Sequence, residues 1–378
     1  MIIGIDGNEA NIINRVGVNV YAFELLCSIY EVLKSTPKKH KVIVYLKSHP
    51  LSDLPKETAY WQYKVLSGRS LWVITRLMPK LFSDTPKPDI FFTPSHYVPP
   101  FAPLPRVCSI MDLGYLKFSA QFKKSDFWQL TIWSAWSIFI SKTIIAISNS
   151  TKKDIVRHYP FASDKVAVTH LAYDSKLFNM EVSKEDVRRV QDKYSIVSGV
   201  NEYLLYLGTL KPSKNVEGLI EAYARIVDRY PKFGLVIGGK KGWLYETIFE
   251  KVKDLGLENK VVFTDFVAEE DKPALIAGAK AFILPSFWEG FGLDVLNAMA
   301  CGVPVIVSNV GSLPEVAEDA GIYVDPYDVD SIADAISKVL SINQVDYNKI
   351  VKAGLLQAGK FSWEKTARET LKILESSN

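Results

Sequence analysis

The segment from Pro285 to Val305 contains residues whose types and spacing could bind a charged ligand. A short apolar run, Ala281–Leu284, precedes a loop with Gly290 and Gly292, and a helical run, Asp294–Ala300, follows it. The first turn of a helix has unpaired N–H groups and the positive end of the helix dipole, and glycine permits close backbone approach. Together these features suit a diphosphate. An ordinary strand–loop–helix connection, with glycine only for packing, has the same outline.

Two polar side chains in this segment could bind other parts of such a ligand. Glu289 lies just before the turn and could accept hydrogen bonds from sugar hydroxyls. Asn297 follows eight residues later, about two helical turns on, and could reach a second part of the same molecule.

Short apolar, β-branched runs alternate with amphipathic stretches along the whole chain, which predicts parallel sheets built from βαβ units, one sheet per half. The predicted strands of the first half are Met1–Asp6, Lys41–Leu46, Asp89–Thr93, Arg106–Met111, Thr143–Ile147 and Lys165–Thr169. Those of the second half are Tyr203–Gly208, Phe233–Gly238, Lys260–Thr264, Lys280–Leu284, Val303–Val307 and Gly321–Val324. Predicted helices include Lys184–Tyr194, Val216–Tyr230, Tyr245–Leu255 and Ser362–Glu375.

The chain has 378 residues, which favours two domains. We expect an N-terminal domain at 1–175 and a C-terminal domain at 176–360, with a turn at Ser198-Gly199 near the boundary. Two doubly wound domains of this α/β class would face a central cleft at the carboxyl ends of their strands. The segment 361–378 is expected to pack back on the first domain through Trp363, Ala367, Leu371 and Ile373.

Composition describes a globular enzyme of a reducing compartment. Hydrophobic residues make up 48% and charged residues 23% of the chain, and the three cysteines lack any Cys-x-x-Cys spacing. The first residues have no signal-peptide pattern, and the longest apolar stretch, Leu130–Ile140, is too short to span a bilayer. We therefore expect a cytoplasmic protein without a nucleic-acid partner.

Charge is unevenly distributed. Met1–Ser175 contains 21 Lys/Arg and 13 Asp/Glu, a net +8, whereas the remainder contains 24 and 29, a net −5, which together give the overall +3. A basic first half suits an anionic acceptor or an anionic membrane surface, and ordinary solvated charge is an equally good explanation.

The stretch Glu289–Val305 resembles the Glu-x7-Glu signature of retaining GT-B glycosyltransferases of family 4, also called glycosyl transferases group 1. Further matches in order and spacing in the second half are Gly208–Asn215, Gly238–Trp243, Gly311–Glu315, Val324–Asp328 and Phe361–Trp363. Weaker matches in the first half are Gly4–Gly7, Gly17–Tyr21, Met111–Leu113 and Ile147–Asp154.

The resemblance implies that the C-terminal domain holds a nucleotide diphosphate sugar, with GDP or UDP as the nucleotide and no further cofactor. It assigns the diphosphate to Lys214, the nucleobase to the backbone at Val267, and an approach to the phosphates to Gly17. The family often has an arginine at 209 or 213; Thr209 and Ser213 stand there, so one cation is missing. The expected catalytic residues are Glu289 and Asp112, and the expected donor-binding residues are Gly17, Thr209, Lys214, Val267, Gly290, Phe291, Gly292, Leu293 and Asn297.

The implied mechanism is front-face transfer with retention, in which Lys214 and the helix N-terminus stabilise the leaving nucleoside diphosphate. In this scheme no metal is needed. The sequence Asp328-Val-Asp330 has the spacing of a metal-binding pair, but it lies between Pro326 and a predicted helix, so we interpret it as a helix start.

Three positions depart from the family pattern: Asn297 replaces the second Glu, Asp294 replaces a Pro, and Met111-Asp112 replaces His-Asp. Asp294 and Asn297 share a helix face, which leaves two interpretations. Either Asp294 partly replaces the lost glutamate from a position one turn away, or it only favours the helix N-terminus. Asp112 and His96 are the nearest polar candidates for the missing histidine's work, and His96 is equally compatible with a packed loop.

The stretch Phe122–Ile140 combines Trp, Phe and Lys, the composition of an interfacial helix. It would suit peripheral membrane contact at the inner face of the cytoplasmic membrane and a lipid-linked acceptor. A core helix packed on the first sheet is the alternative.

The resemblance implies a hexosyltransferase that moves a mannose-, glucose- or rhamnose-like sugar to a glycan or lipid-linked acceptor in polysaccharide, lipopolysaccharide or glycoprotein glycan assembly. The departures leave a second hypothesis, a catalytically weak nucleotide-sugar-binding subunit that supports a partner enzyme. An epimerase or phosphorylase of the same fold fits the motifs less well.

Overall fold

The chain divides into two compact units. A computed structural model describes residues 1–36, 39–68, 71–119, 123–196 and 202–378, and the turn expected at Ser198-Gly199 lies outside them. The N unit contains Met1–Ser119, Lys123–Leu171 and Ser362–Asn378. The C unit contains Ala172–Phe361.

Each unit is built on one parallel sheet. The N unit strands are β1 Ile2–Asp6, β2 Lys41–Leu46, β3 Trp61–Val65, β4 Ile90–Thr93, β5 Arg106–Ile110, β6 Thr143–Ala146 and β7 Val166–Val168, in the order β3-β2-β1-β4-β5-β6-β7. The C unit strands are β8 Glu202–Leu207, β9 Phe233–Gly238, β10 Val261–Asp265, β11 Ala279–Leu284, β12 Val305–Ser308 and β13 Gly321–Val324, in the order β10-β9-β8-β11-β12-β13. The predicted α/β, doubly wound class is confirmed.

Helices connect the strands of both sheets. Those up to the boundary region are α1 Val18–Ser35, α2 Met78–Ser83, α3 Gly114–Lys117, α4 Lys124–Ile140, α5 Asn149–His158 and α6 Lys184–Lys193. Those that follow are α7 Val216–Ala224, α8 Glu246–Asp254, α9 Lys272–Ala277, α10 Leu293–Ala300, α11 Leu313–Ala317, α12 Val329–Ser341, α13 Gln344–Ala358 and α14 Trp363–Ser376. In the described parts of the chain, no helix is long and apolar enough to cross a membrane.

The apolar runs predict the central strands because strands covered by helices on both faces bury nearly every residue. β2 pairs through Val42–Leu46 with β3, which the sequence analysis missed. β3 lies at the edge of the sheet, and its polar Gln62 and Lys64 interrupt the apolar pattern on which the strand predictions rested. The helix predicted at 216–230 was also too long, because α7 ends at Ala224 and turns follow it.

The last helix, α14, packs on α1 within the N unit, and the Trp363 ring lies 6.2 Å from that of Tyr21. Its buried face includes Ala367 and Leu371, as expected. The next buried position is Leu374, whereas the predicted Ile373 is only half-buried. Residues at a spacing of three or four share a helix face, so Leu374 continues the series and Ile373 does not.

Asp6, at the carboxyl end of β1, is a buried acid whose pKa is raised by burial to about 6, although Asn8 donates two hydrogen bonds to it. A raised carboxyl pKa favours the folded state at low pH, and this contribution is lost as the pH rises through 6.

We expect Asp6→Asn to stabilise the N unit at pH 7.5 by roughly 2 kcal/mol relative to the wild type, and the advantage should shrink as the pH falls from about 6 to 4. Calorimetric melting of both proteins across this range measures the difference. An advantage that is the same at every pH would contradict the assignment.

Candidate functional site

The order of the C unit sheet changes direction between β8 and β11, which pair directly through Leu205 and Phe282. Ligands of open α/β sheets bind at such a switch point, outside the carboxyl ends of the strands. The loop 208–215 follows β8 and the loop 285–292 follows β11, so this edge of the sheet brings these two motifs of the sequence analysis together.

Lys214 and Glu289 form the centre of this site. The Lys214 Nζ lies 2.5 Å from Glu289 Oε1, and the Ser286 hydroxyl donates to the same oxygen at 2.7 Å. The two charged side chains are only 18% and 10% exposed. A mostly buried ion pair that keeps some solvent access is poised to interact with a further charged group.

The two loops are tied together by their backbones. Asn215 adopts the left-handed conformation, with φ 54°, and its side-chain amide donates to the carbonyls of Pro285 and Pro326. The Phe287 N–H donates to the Ser213 carbonyl at 2.9 Å. These bonds fix the separation between Lys214 and the loop that carries its carboxylate partner.

A third loop holds the backbone of Glu289. Its carbonyl accepts from the Ser312 N–H at 3.2 Å and from the Ser312 hydroxyl at 3.0 Å. Gly311, with φ 64°, approaches so closely that a Cβ there would lie 2.8 Å from the Glu289 oxygen. Only glycine fits this position without displacing Glu289.

The start of α10 is also set by a glycine. Gly292 has φ 96° and lies at the N-cap of the helix, and a Cβ there would lie 2.6 Å from Leu313 Cδ2. Gly290 and Leu293 are half-buried beside it, whereas Phe291 is buried with its ring 5.9 Å from that of Phe361. Phe291 therefore anchors the loop, and the glycines and Leu293 present backbone.

Asp294 and Asn297 form a polar group on the first turns of α10. The Asn297 amide donates to Asp294 Oδ1 at 3.2 Å, and Lys272 Nζ lies 4.0 Å from the same oxygen. Burial alone would lower the pKa of Lys272, but the carboxylates of Asp294 and Glu269 outweigh it and raise this pKa. Asn297 is 2% exposed, and its Oδ1 accepts no hydrogen bond from the described residues.

Lys272 and Tyr206 were missed by the sequence analysis. Burial, and then the carboxylates of Glu289 and Asp294, raise the pKa of Tyr206 well above its ordinary value, so its hydroxyl stays protonated. Lys272 stands at the first position of α9, and no local sequence signal connects it with Asp294, 22 positions later in the chain. Only the tertiary structure, which brings the two charged side chains together, shows this contact.

We expect Asp294→Ala to weaken nucleotide affinity about five- to tenfold, because it removes a carboxylate that is tied to both Asn297 and Lys272. Glu217→Ala is the matched control, since Glu217 is likewise an acid in the first turn of a helix, α7. If Asp294 serves only the helix N-terminus, both variants lose a little stability and neither changes affinity. Calorimetric titration with UDP and GDP separates the two results.

Thr209 and Val267 lie on the loops that follow β8 and β10 of the C unit. Thr209 is exposed, and its carbonyl accepts from the Tyr206 hydroxyl at 3.4 Å. The Val267 side chain is 2% exposed and packs against Gly238, at the end of β9. Val267 therefore has a packing role, and its backbone remains the part that could meet a base.

Gly17 and Asp112 belong to the N unit. Gly17 precedes α1 with φ 52°, is exposed, and has no atom within 4 Å of where a Cβ would stand. Asp112 is exposed, and its carboxylate accepts from the Gly114 N–H at 2.7 Å, which supports the start of α3. The carbonyl of Met111 accepts from the Thr151 hydroxyl.

His96 lies in the loop after β4. It is half-buried, its ring is 4.1 Å from that of Tyr97, and burial lowers its pKa to about 4. Its Nε2 has no partner in the part of the chain that the structure describes. The imidazole is therefore neutral at physiological pH, and its loop is held by the Ser137 hydroxyl, which donates to the His96 carbonyl.

The Asp328-Val-Asp330 sequence starts a helix, as predicted: Asp328 caps α12 by accepting from the Asp330 N–H, and Asp330 pairs with Arg225. Over the described ranges, no group of three or more His, Cys, Asp or Glu side chains is arranged to hold a metal ion.

Curated relatives match about three fifths of the chain. An O-antigen chain mannosyltransferase B of Escherichia coli is 37% identical over 237 residues, which cover 62% of this chain and 61% of that protein. An uncharacterized glycosyltransferase of Methanocaldococcus jannaschii is 32% identical over 240 residues, which cover 63% and 60%. The matched regions thus span less than two thirds of the length of these relatives.

Solved structures share the whole architecture. HepE of Anabaena, in complex with UDP and glucose, has a TM-score of 0.73 at 19% identity, with 99% of each chain covered. WaaG, a glycosyltransferase involved in lipopolysaccharide biosynthesis, has a TM-score of 0.72 at 16% identity, again with 99% of each chain covered. The model of the family described as glycosyl transferases group 1 matches residues 190–357, which include both Lys214 and Glu289. This part of the chain, which contains the candidate site, is therefore similar to the glycosyl transferases group 1 family, and the chain has the GT-B fold of these solved structures.

Proposed function

We propose that the protein is a retaining hexosyltransferase that takes its sugar from a nucleotide diphosphate donor and transfers it to a glycan or lipid-linked acceptor. The Lys214–Glu289 pair at the carboxyl edge of the C unit sheet carries this proposal. It sets a cation and a carboxylate side by side next to the first turn of α10, where phosphate and sugar of one donor molecule would each find a partner.

The leaving diphosphate gains negative charge as the glycosidic bond breaks. Lys214 and the N–H groups at the start of α10 would stabilise that charge, and they are already held in place by the Asn215 and Ser312 hydrogen bonds. This positive charge comes from the chain itself, so the proposed reaction is metal-independent. Glu289 would accept from hydroxyls of the transferred sugar and hold it for front-face attack.

The donor is proposed to be GDP- or UDP-linked, and mannose is our first choice of sugar. The names of curated Escherichia coli relatives, an O-antigen chain mannosyltransferase and a serotype-specific mannosyltransferase, support this choice. The words O-antigen chain in the first of these names also support a place in the assembly of polysaccharide or lipopolysaccharide. We further propose that the reaction takes place at the cytoplasmic side of the membrane.

The test is incubation with a panel of GDP-, UDP- and dTDP-sugars, in the presence of acceptor extracts, with nucleotide release as the readout. Release from one donor, with an α-linked product from an α-linked donor, supports retaining transfer. Release from none of the donors, or an inverted product, would refute the proposal.

A catalytically weak donor-binding subunit is the second candidate. Asn297 in place of an acid, Met111 in place of a histidine and an Asp112 carboxylate engaged with Gly114 favour it. It predicts that the same panel yields nucleotide binding, measured by calorimetry, without any release.

A further inference from the structure

Helix α4 of the N unit exposes large apolar side chains to solvent, the reverse of an ordinary amphipathic helix. Its buried residues are Ser134, Ser137 and Ile138, and the Ser137 hydroxyl bonds the loop at His96 and Val98. Two of these three buried residues are small and polar. This arrangement contradicts the expectation of a core helix, since such a helix would bury its largest apolar side chains.

The solvent-exposed face of α4 is the apolar one. Trp128 is 59% exposed, Ile132 62% and Phe139 60%, and Trp136 stands between them at 39%. Phe161 extends the surface beyond the helix, with its ring 5.9 Å from that of Phe139. We call these five side chains the α4 patch. A contiguous exposed apolar surface of this kind marks an interaction site.

Basic residues lie at both ends of the α4 patch. From Lys117 to Lys165 the chain has eight Lys/Arg and three Asp/Glu, a net +5 in a segment that contains the whole patch. Lys124 lies four residues before Trp128 and therefore on the same side of the helix. At the other end, Lys165 Nζ lies 5.9 Å from the centre of the Phe161 ring.

We propose that the α4 patch docks on an anionic lipid bilayer, with the helix lying along the surface. Trp and Phe side chains partition into the interface between headgroups and acyl chains, and lysines at the rim pair with lipid phosphates. A protein partner or a second copy would match the apolar side chains equally well, but the excess of positive charge favours the lipid surface. The proposal concerns residues of the N unit, whereas Lys214 and Glu289 belong to the C unit, and it does not depend on the proposed reaction.

The test is co-sedimentation of the full-length protein with vesicles of phosphatidylcholine, with and without phosphatidylglycerol. We expect substantial binding only when phosphatidylglycerol is present, and weaker binding at high salt. Trp128→Ser combined with Ile132→Ser should lower partitioning at least about tenfold, and Lys124→Gln about fivefold. Phe82→Ser is the matched control, because Phe82 is 55% exposed in the same unit but on α2, and it should bind like the wild type.

Binding that is equal on neutral and anionic vesicles, or unchanged in the Trp128 and Ile132 double variant, would overturn the proposal. So would concentration-dependent dimerisation in solution that the double variant abolishes, since that result assigns the patch to a second copy. Far-UV circular dichroism of each variant, with a wild-type helix content, excludes loss of binding through misfolding.

Discussion

Replacing Lys214 with alanine is expected to lower donor turnover about 10²- to 10³-fold, the effect of removing one pre-placed charge from a site where charge develops in the transition state. The Lys214 side chain is only 18% exposed and its Nζ lies 2.5 Å from Glu289 Oε1, so alanine removes the cation of a mostly buried pair. Lys253→Ala, an exposed lysine on α8 in the same unit, is the control and should keep normal turnover.

The same replacement also leaves Glu289 as a mostly buried carboxylate without its cation, which costs stability for a reason unrelated to catalysis. Adding Glu289→Gln to Lys214→Ala removes the unpaired charge while the Ser286 hydroxyl keeps an acceptor. The double variant should therefore regain much of the lost melting temperature.

Measuring both turnover and melting temperature in each variant separates the effect on catalysis from the effect on stability. We expect the double variant to remain as inactive as Lys214→Ala, because both charges that act on the donor are gone. Recovery of turnover together with stability would mean that the pair only supports the fold, and near-normal rates in Lys214→Ala would remove Lys214 from the site.

The sheets could be predicted because buried parallel strands have an almost purely apolar sequence, as in β8 and β11. The edge strand β3 could not, since only Trp61 of its five residues is fully buried and its Gln62 and Lys64 resemble loop sequence. The α4 patch is a second feature that the sequence alone could not predict. Its Trp, Phe and Lys side chains fit both an interfacial helix and a core helix, and only the fold shows that the Trp and Phe side chains of the patch face outward.

For the site, local sequence predicted the glycine turn, Glu289 and Lys214, because each belongs to a short motif after a strand. The contacts between these motifs depend on the tertiary structure, so no local sequence pattern predicts them. Lys272 meets Asp294 only because α9 and α10 lie side by side, and Tyr206 lies near both acids only because β8 is next to β11. The catalytic role of Asp112 stays a prediction, and its carboxylate accepts a hydrogen bond from the Gly114 N–H.

Gly311→Ala is the second substitution for which we expect a large loss of turnover. We expect Gly311→Ala to lower turnover roughly 10- to 100-fold, because the new methyl group would lie 2.8 Å from the Glu289 carbonyl oxygen and 3.0 Å from its nitrogen. Backbone atoms of a tied loop cannot give way as the end of a flexible side chain can. Glu289 must therefore move, and a displacement of about 1 Å at a reacting group is enough to cost this much in rate.

An alanine with positive φ is strained wherever it stands, by about 1–2 kcal/mol, so loss of activity in Gly311→Ala needs a control for strain alone. Gly256 supplies it: its φ is 65°, close to the 64° of Gly311, and nothing lies within 4 Å of its Cβ position. Gly256→Ala should lose a similar amount of stability and keep full turnover. If both variants lose turnover in proportion to their melting temperatures, Gly311 only supports the fold; if Gly311→Ala alone is impaired at a temperature where both are folded, the position of the Glu289 backbone sets the rate.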